Sequence, residues 1–581
     1  MKNKLFFKIG IFMQLVLLIA HLVNNRNGLP IPVVDEESRL LTFLMKTYDI
    51  HFSGGWRTLD ETLWGYAITW ALFVVFTFLA SIQVLLVKPQ SRLLGRRITF
   101  ANVLLWAGCL VATLLFWSLP QQALFGLVLA PFLLSYLLEW KAPKPNSTRI
   151  CVVGAGVSGL TAAYQLQKQG YTQVTVLEKA NYAGGKCLSV EHYGHPFDLG
   201  GHEMLAGYRD VMEMAAELGA PARVSIPPMV YDHDTRQYLN FKKAAVASGK
   251  YSMPQVVLAS MKYLFLVAFP FRRFSKPSTG YSRMPKELAM PLSDWLVKRR
   301  LTALSDILAF VVKVQGYGHF NDTSAAYLVK FMGLQNWLSL ILSGMGISKQ
   351  WPKVFTYGML NFCERIAAGL KVHLNTEIER IERQTGNAAE PVRIFIKGKP
   401  EPLVFDKMIL CTPLEAKGLG FLDMSPEEDA LFRQFTHYQF VNTVCHTQGL
   451  PAGVVASIPL NDIQRGEYTG YIKDFTDVPV SVFFSLASPG VTDPDLREKI
   501  KEVLKGIPEY EGKKPEVLEF LNQKNWDYFP HVLPEAVAGG FYDKLEALQG
   551  ERHTFYASSA LAFECVGNSV AYAKRLVLNY F

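Results

Sequence analysis

"RICVVGAGVSGLTAAYQLQKQGYTQVTVLEKANYAGGK", Arg149 to Lys186, decides the fold. "ICVVG" is a short β-branched run ending on a glycine, as a strand buried in a parallel sheet should be. Gly154, Gly156 and Gly159 then form G-x-G-x-x-G, and Val157 and Ser158 open an amphipathic helix closed by Gly170. A second strand, "QVTVLE", ends on Glu178, nineteen residues beyond Gly159. Each position has a physical task. The first glycine permits a tight turn, the second lets backbone approach a pyrophosphate, and the third lets helix and strand pack closely. The helix N-terminus turns unpaired N–H groups and its positive dipole end toward the phosphates. Glu178, with Lys179 beside it, is placed to accept hydrogen bonds from a ribose diol. Strand, glycines, helix, strand and acid in this order predict a dinucleotide fold; the alternative is a βαβ unit without ligand.

The residues after Glu178 narrow the cofactor. "KANYAGGKCLSVEHYGHPFDLGGHEM" holds Gly184-Gly185 and Gly200-Gly201, two more places where backbone comes very close to something or takes positive φ. This pattern resembles the flavin-containing amine oxidase and phytoene desaturase superfamily, where the ribose acid is followed by "GG(R/K)" and then "(F/Y)D-x-G". Within it the phrase "VTVLEKANYAGGKC" is closest to a β-cyclopiazonate dehydrogenase-like subgroup. The resemblance implies FAD, with the first glycine pair along its pyrophosphate and ribose and the second beside the isoalloxazine ring. Lys186 stands where the wider family often has Arg; it keeps the charge for a phosphate contact without the bidentate fork. Noncovalent FAD is expected, the alternative being attachment through Cys187, His192, His195 or His202.

The resemblance covers Ser147 to Phe581. "YGMLNFCERIAAGLKVHLNTEIERIERQ" and "KMILCTP" resemble the stretch that returns to the FAD domain, which implies that the backbone of Glu377 and Ile378 lies near the adenine. "HTFYASSALAFECVGNSVAYAKRLVLNYF" resembles the closing FAD motif, and Glu564 matches its "F-E" at the flavin's pyrimidine end. One departure stands out. Where the family has Gly-Glu or Gly-Asp after "YA", this chain has Ser558-Ser559, so either a serine hydroxyl replaces the ribityl-binding acid or flavin binding is weakened. "GYGHFND" resembles a subgroup motif of the substrate-domain wall, with Tyr317 and His319 toward the cavity, and the aromatics of "NWDYFPHV" are set either near the ring or in ordinary core.

The composition suits a multidomain chain with a hydrophobic front. At 581 residues it exceeds one domain, and it is 50% hydrophobic with only 19% charged residues. Apolar stretches at about 5–23, 63–87, 98–119 and 122–140 read as four membrane spans. The loop "KPQSRLLGRR" carries four basic residues and no acid, whereas residues 24–62 carry four basic residues against six acids. The positive-inside rule then puts both termini and the catalytic domain in the cytoplasm. No metal spacing occurs among the Cys and His residues, so no metal is expected. The net charge of +9 suits anionic lipid rather than nucleic acid.

The expected fold is therefore α/β: a Rossmann-type FAD-binding domain interleaved with an α+β substrate domain, preceded by a transmembrane four-helix region (1–145). FAD-binding parts fall at 146–227, 351–415 and 541–581, and substrate-domain parts at 228–350, expected to be helix-like, and 416–540, expected to be an antiparallel sheet. The expected activity is a membrane-integral FAD-dependent oxidoreductase. It takes hydride from a lipophilic small molecule, by desaturation or amine oxidation, and passes electrons to oxygen or a quinone. Tyr317, His319 and His202 are the candidate substrate-side groups. Two alternatives stay open: redox-neutral double-bond isomerisation of a fatty acyl or polyene substrate, and a non-catalytic binding protein that keeps the fold.

Overall fold

The computed structural model describes residues 145–581 apart from 227, 233–234, 349–351, 385–390, 458–466 and 488–489, and only short stretches before residue 145. The chain divides into two compact units, 1–144 and 145–581. In the first, residues 11–14, 101–107 and 127–134 are helical, and Asp49–Phe52 pairs antiparallel with Gly55–Thr58. The Gln14 amide donates to the Asn102 carboxamide oxygen at 3.2 Å. The four spans expected from the sequence lie mostly outside the described residues. Among those described, no single helix is long and apolar enough to cross a membrane, so the transmembrane four-helix region is not part of the fold described below.

The second unit begins with β1 (Asn146–Val153), α1 (Val157–Lys168) and β2 (Tyr171–Leu177). Further along come α2 (Met253–Ala268), β3 (Val372–His373), β4 (Lys407–Leu410), β5 (Thr554–Tyr556) and α3 (Val566–Tyr580). The five strands form one parallel sheet in the order β3-β2-β1-β4-β5, built from three distant stretches of chain. Its middle is apolar on both faces: Ile150, Cys151, Val152, Met408, Ile409 and Leu410 are fully buried, which is why these strands read as continuous hydrophobic runs. α1 and α3 pack against one another.

A seven-stranded sheet forms the other half. Its order is Glu516–His531, Thr436–Gln448, Val480–Ala487, Glu467–Lys473, Gly453–Ser457, Pro228–Asp232 and Gln237–Asn240. All neighbours run antiparallel except Gly453–Ser457 beside Pro228–Asp232. The stretch 228–350 is thus not wholly helical, since its first two strands complete this sheet. Four or five residues are too few for a period of two to declare itself. The helices of that stretch include α2, Ala325–Phe331 and Leu334–Gly344.

In sequence between β3 and β4, the three strands Ile378–Arg383, Val392–Ile396 and Leu403–Phe405 form an antiparallel meander. Arg383 closes it. Its guanidinium is fully buried and bonds Asp423 at 2.7 Å, both oxygens of Glu428 at 2.8 and 2.7 Å, and the Tyr556 hydroxyl at 3.2 Å.

Candidate flavin site

The phosphate end is built from glycine contacts. Gly156 is the N-cap of α1, at φ −68° and ψ 172°, and no side chain caps the helix. A Cβ placed on Gly156 would meet nothing within 4 Å. The first-turn N–H groups therefore open onto free space, as an anion site requires. Gly159 differs: its Cβ would lie 2.0 Å from the Gly154 carbonyl oxygen, so only glycine lets α1 pack on the end of β1. Gly184 bridges to Gly156, and Gly185 (φ +59°) would put a Cβ 3.1 Å from the Gly156 Cα.

The ribose acid is positioned next. The Glu178 carboxylate accepts from the Ala155 N–H at 2.7 Å and the Ala180 N–H at 2.8 Å, which aims it across the glycine turn. The Thr376 N–H donates to the Glu178 carbonyl and the Asn375 N–H to that of Ala180, so 375–378 runs alongside the acid. Ile378 then opens the meander, paired with Ile396. An uncapped helix terminus, an open face at Gly156 and a half-buried carboxylate beside it suit the pyrophosphate and ribose of a dinucleotide. Lys179 points to solvent.

Other expected residues are engaged by protein partners. Lys186 does not leave its charge free for a phosphate: its ammonium pairs with Glu564 at 2.5 Å and donates to the Asp527 carbonyl. Gly200 is closed in by protein backbone, since its Cβ would lie 1.8 Å from the Lys186 carbonyl oxygen. Gly201 is likewise closed in, by Val566, Cys187 and Met359. Tyr317, expected to face the cavity, is buried, and its hydroxyl donates to the Glu564 carbonyl at 3.0 Å. Gly316 and Gly318 flank it at positive φ, where a Cβ would strike Phe440 and Tyr438. His319 is half-buried, and its carbonyl accepts from the Thr323 hydroxyl at 2.9 Å. At the departure from the family motif, the Ser558 hydroxyl caps a short turn by accepting from the Ala560 N–H, and Ser559 is half-buried just beyond β5.

Opposite these segments the seven-stranded sheet presents aromatic rings. Phe440 stacks on Phe484 at 6.0 Å and on Tyr528 at 5.1 Å, and Tyr528 stacks on Tyr317 at 5.6 Å. Tyr438 stacks on His531 at 4.9 Å. Period-two alternation puts Tyr438, Phe440 and Asn442 on one face, each paired across the strands with Tyr528, Trp526 and Lys524. That face meets the glycine-rich segment: the Asn442 amide and the Trp526 indole N–H both donate to the Leu199 carbonyl, at 2.6 and 2.5 Å. Glu564 binds the whole together, because its second oxygen also accepts from the Phe529 N–H.

His202 lies in a charge cluster missed in the sequence. Its Nδ1 sits 3.0 Å from Asp198 and its Nε2 3.4 Å from Asp474. Burial alone would depress its imidazolium, but the charges of Asp474 and Asp198 outweigh it and hold the pKa well above the usual histidine value. Asp198 also accepts from the Met359 N–H and the Ser189 hydroxyl. This makes His202 a charged junction between the two domains of the unit rather than a free base. The signal for Asp198 was present, four residues before His202 in "DLGGH"; nothing local could point to Asp474.

Comparison with known proteins agrees with this geometry. Residues 157–444 match the family of flavin containing amine oxidoreductases. The polyenoic fatty acid isomerase of Ptilota filicina is 24% identical over 506 residues, covering 78% of this chain and 99% of that protein. The beta-cyclopiazonate dehydrogenase of Aspergillus flavus is 21% identical over 449 residues, covering 72% of this chain and 90% of that protein. Among solved structures, the CLA-producing fatty acid isomerase from P. acnes superposes with a TM-score of 0.65 at 25% identity, covering 75% of this chain and 99% of that one. Residues 157–444 thus match the flavin-containing amine oxidoreductases, and the chain is an FAD-dependent, oxidoreductase-like enzyme.

Proposed function

We propose that the enzyme works on a lipophilic, unsaturated small molecule, and that the net reaction is a redox-neutral shift of a double bond in a fatty acyl or polyene chain. The row of stacked rings from Phe484 through Phe440 to Tyr528 carries this reading. It offers an extended apolar surface that orients a hydrocarbon chain and keeps water from it. The likeness to two fatty acid isomerases over nearly their whole lengths supports the same reading. FAD, held at the Gly154, Gly156 and Gly159 turn and at Glu178, would supply hydride acceptance, with return of the hydride in isomerisation or removal of the electrons by oxygen or a quinone in oxidation. The chain's own part is to hold and orient. The Lys186–Glu564 pair fixes the ring-bearing strand at Phe529, and the Leu199 carbonyl is held by Asn442 and Trp526.

Net desaturation or amine oxidation is the second reading, favoured by the likeness to beta-cyclopiazonate dehydrogenase. Anaerobic mixing of the purified enzyme with polyunsaturated fatty acids separates the two. Isomerisation builds conjugated-diene absorbance while the flavin stays yellow, and deuterium at the allylic carbon is retained in the product. Stoichiometric bleaching of the flavin without turnover would discard the isomerase reading.

The reading includes a membrane location, with spans at about 5–23, 63–87, 98–119 and 122–140 and both ends cytoplasmic. An alkaline phosphatase reporter, active only outside the cytoplasm, should be silent after Phe581 and active near Asn27. The reverse pattern would invert the topology, and silence at both sites would remove it.

A further inference from the structure

We infer that the outer face of α2 docks on a lipid surface carrying anionic headgroups. The helix is anchored on its inner side. Tyr263 is fully buried and its hydroxyl donates to the Met332 carbonyl at 3.1 Å, while the Trp337 indole N–H donates to the Ser260 carbonyl at 3.1 Å. Val256, Ala259, Leu266 and Val267 complete that buried side.

The outer side is as apolar as the inner one. Val257, Leu258, Met261, Phe265 and Phe269 are 52%, 72%, 55%, 58% and 68% exposed. They recur every three or four residues, so they form one stripe along the helix, which ends in the Phe265–Phe269 ring pair 4.9 Å apart. A contiguous stripe of this kind is unfavourable in water and marks a contact surface.

Charge identifies the occupant. Between Asp234 and Glu287 the chain has ten Lys and Arg residues and no acid. Lys262, Arg272, Arg273 and Lys276 of this group are exposed beside the stripe or just beyond its end. An apolar stripe bordered by cations fits the interface of a membrane containing anionic lipid, with the rings in the acyl boundary and the cations among the headgroups. A second copy of the same face would set like charges against one another. The basic turn after the helix is also held in shape from below. The buried Lys330 ammonium donates to the carbonyls of Phe274, Thr279 and Gly280 at 2.5, 2.9 and 3.1 Å. The surface belongs to the second unit, and the inference does not depend on which reaction that unit catalyses.

Photocrosslinking of the full-length flavoprotein tests it. p-Benzoylphenylalanine is placed at Phe265, or at Leu258 as a second site, and the protein is irradiated with phosphatidylcholine vesicles containing phosphatidylglycerol. The peptide carrying the probe should gain the mass of a phospholipid. Its yield should be at least about tenfold above that from the same probe at the exposed Tyr357 and should fall when phosphatidylglycerol is omitted. Absence of a lipid adduct at both sites would overturn the inference. Crosslinks to residues 1–144 would overturn it in favour of cover by the chain's own front, and crosslinks to a second copy in favour of self-association.

Discussion

Gly156→Val is expected to give a folded protein without yellow colour. The backbone at Gly156, with φ −68° and ψ 172°, is one that valine adopts readily, and its Cβ would meet nothing within 4 Å. The protein without cofactor should therefore melt within about 1 kcal/mol of wild type. The free volume is where a pyrophosphate must approach the backbone, and filling it should weaken FAD at least about a hundredfold, ~3 kcal/mol. Gly159→Ala is the contrast. Its Cβ would lie 2.0 Å from the Gly154 carbonyl oxygen, so α1 must move off β1 and folding fails along with flavin binding. Flavin content and thermal melts of the two variants check both halves. Full flavin in Gly156→Val would place the phosphates elsewhere.

Arg383→Met should destabilise the second unit by about 3–5 kcal/mol, because it leaves the buried carboxylate of Glu428 without its paired cation. Burial alone would raise the Glu428 carboxyl, but the Arg383 guanidinium outweighs it and holds the folded-state pKa below the usual glutamate value. A lowered folded pKa contributes stability that is complete above the unfolded pKa of about 4.3 and disappears as pH falls through the folded value. The gap between wild type and Arg383→Met should thus be widest near neutrality and narrow on acidification, as Glu428, left raised by burial in the variant, takes up its proton first. Denaturant melts across that range measure it. A gap independent of pH would mean that the ion pair is not what the substitution removed.

The nucleotide half was legible because its information is local. Gly154, Gly156, Gly159 and Glu178 lie within one short stretch, and each answers to a backbone requirement that the spacing itself expresses. The substrate half was legible only as alternation. Its sheet joins Pro228–Asp232 to Gly453–Ser457, a pairing set by tertiary packing that no window of sequence contains. The same limit explains Lys186. Its position suggested a phosphate, but Glu564, which claims it, lies at the other end of the chain. The same limit holds along α2: Val267 belongs to an apolar run, yet only the packing of Tyr263 against Trp337 decides which side faces inward.

Glu564 joins four separate stretches of chain at one carboxylate and its own carbonyl: the glycine-rich segment through Lys186, the ring-bearing strand through Phe529, the turn at Tyr317, and its own. Such a knot makes cofactor and substrate thermodynamically reciprocal. Any free energy that ordering this segment around FAD lends to the aromatic surface must be returned in equal measure, so a molecule bound there lowers the dissociation constant of the flavin by the factor by which flavin lowers its own.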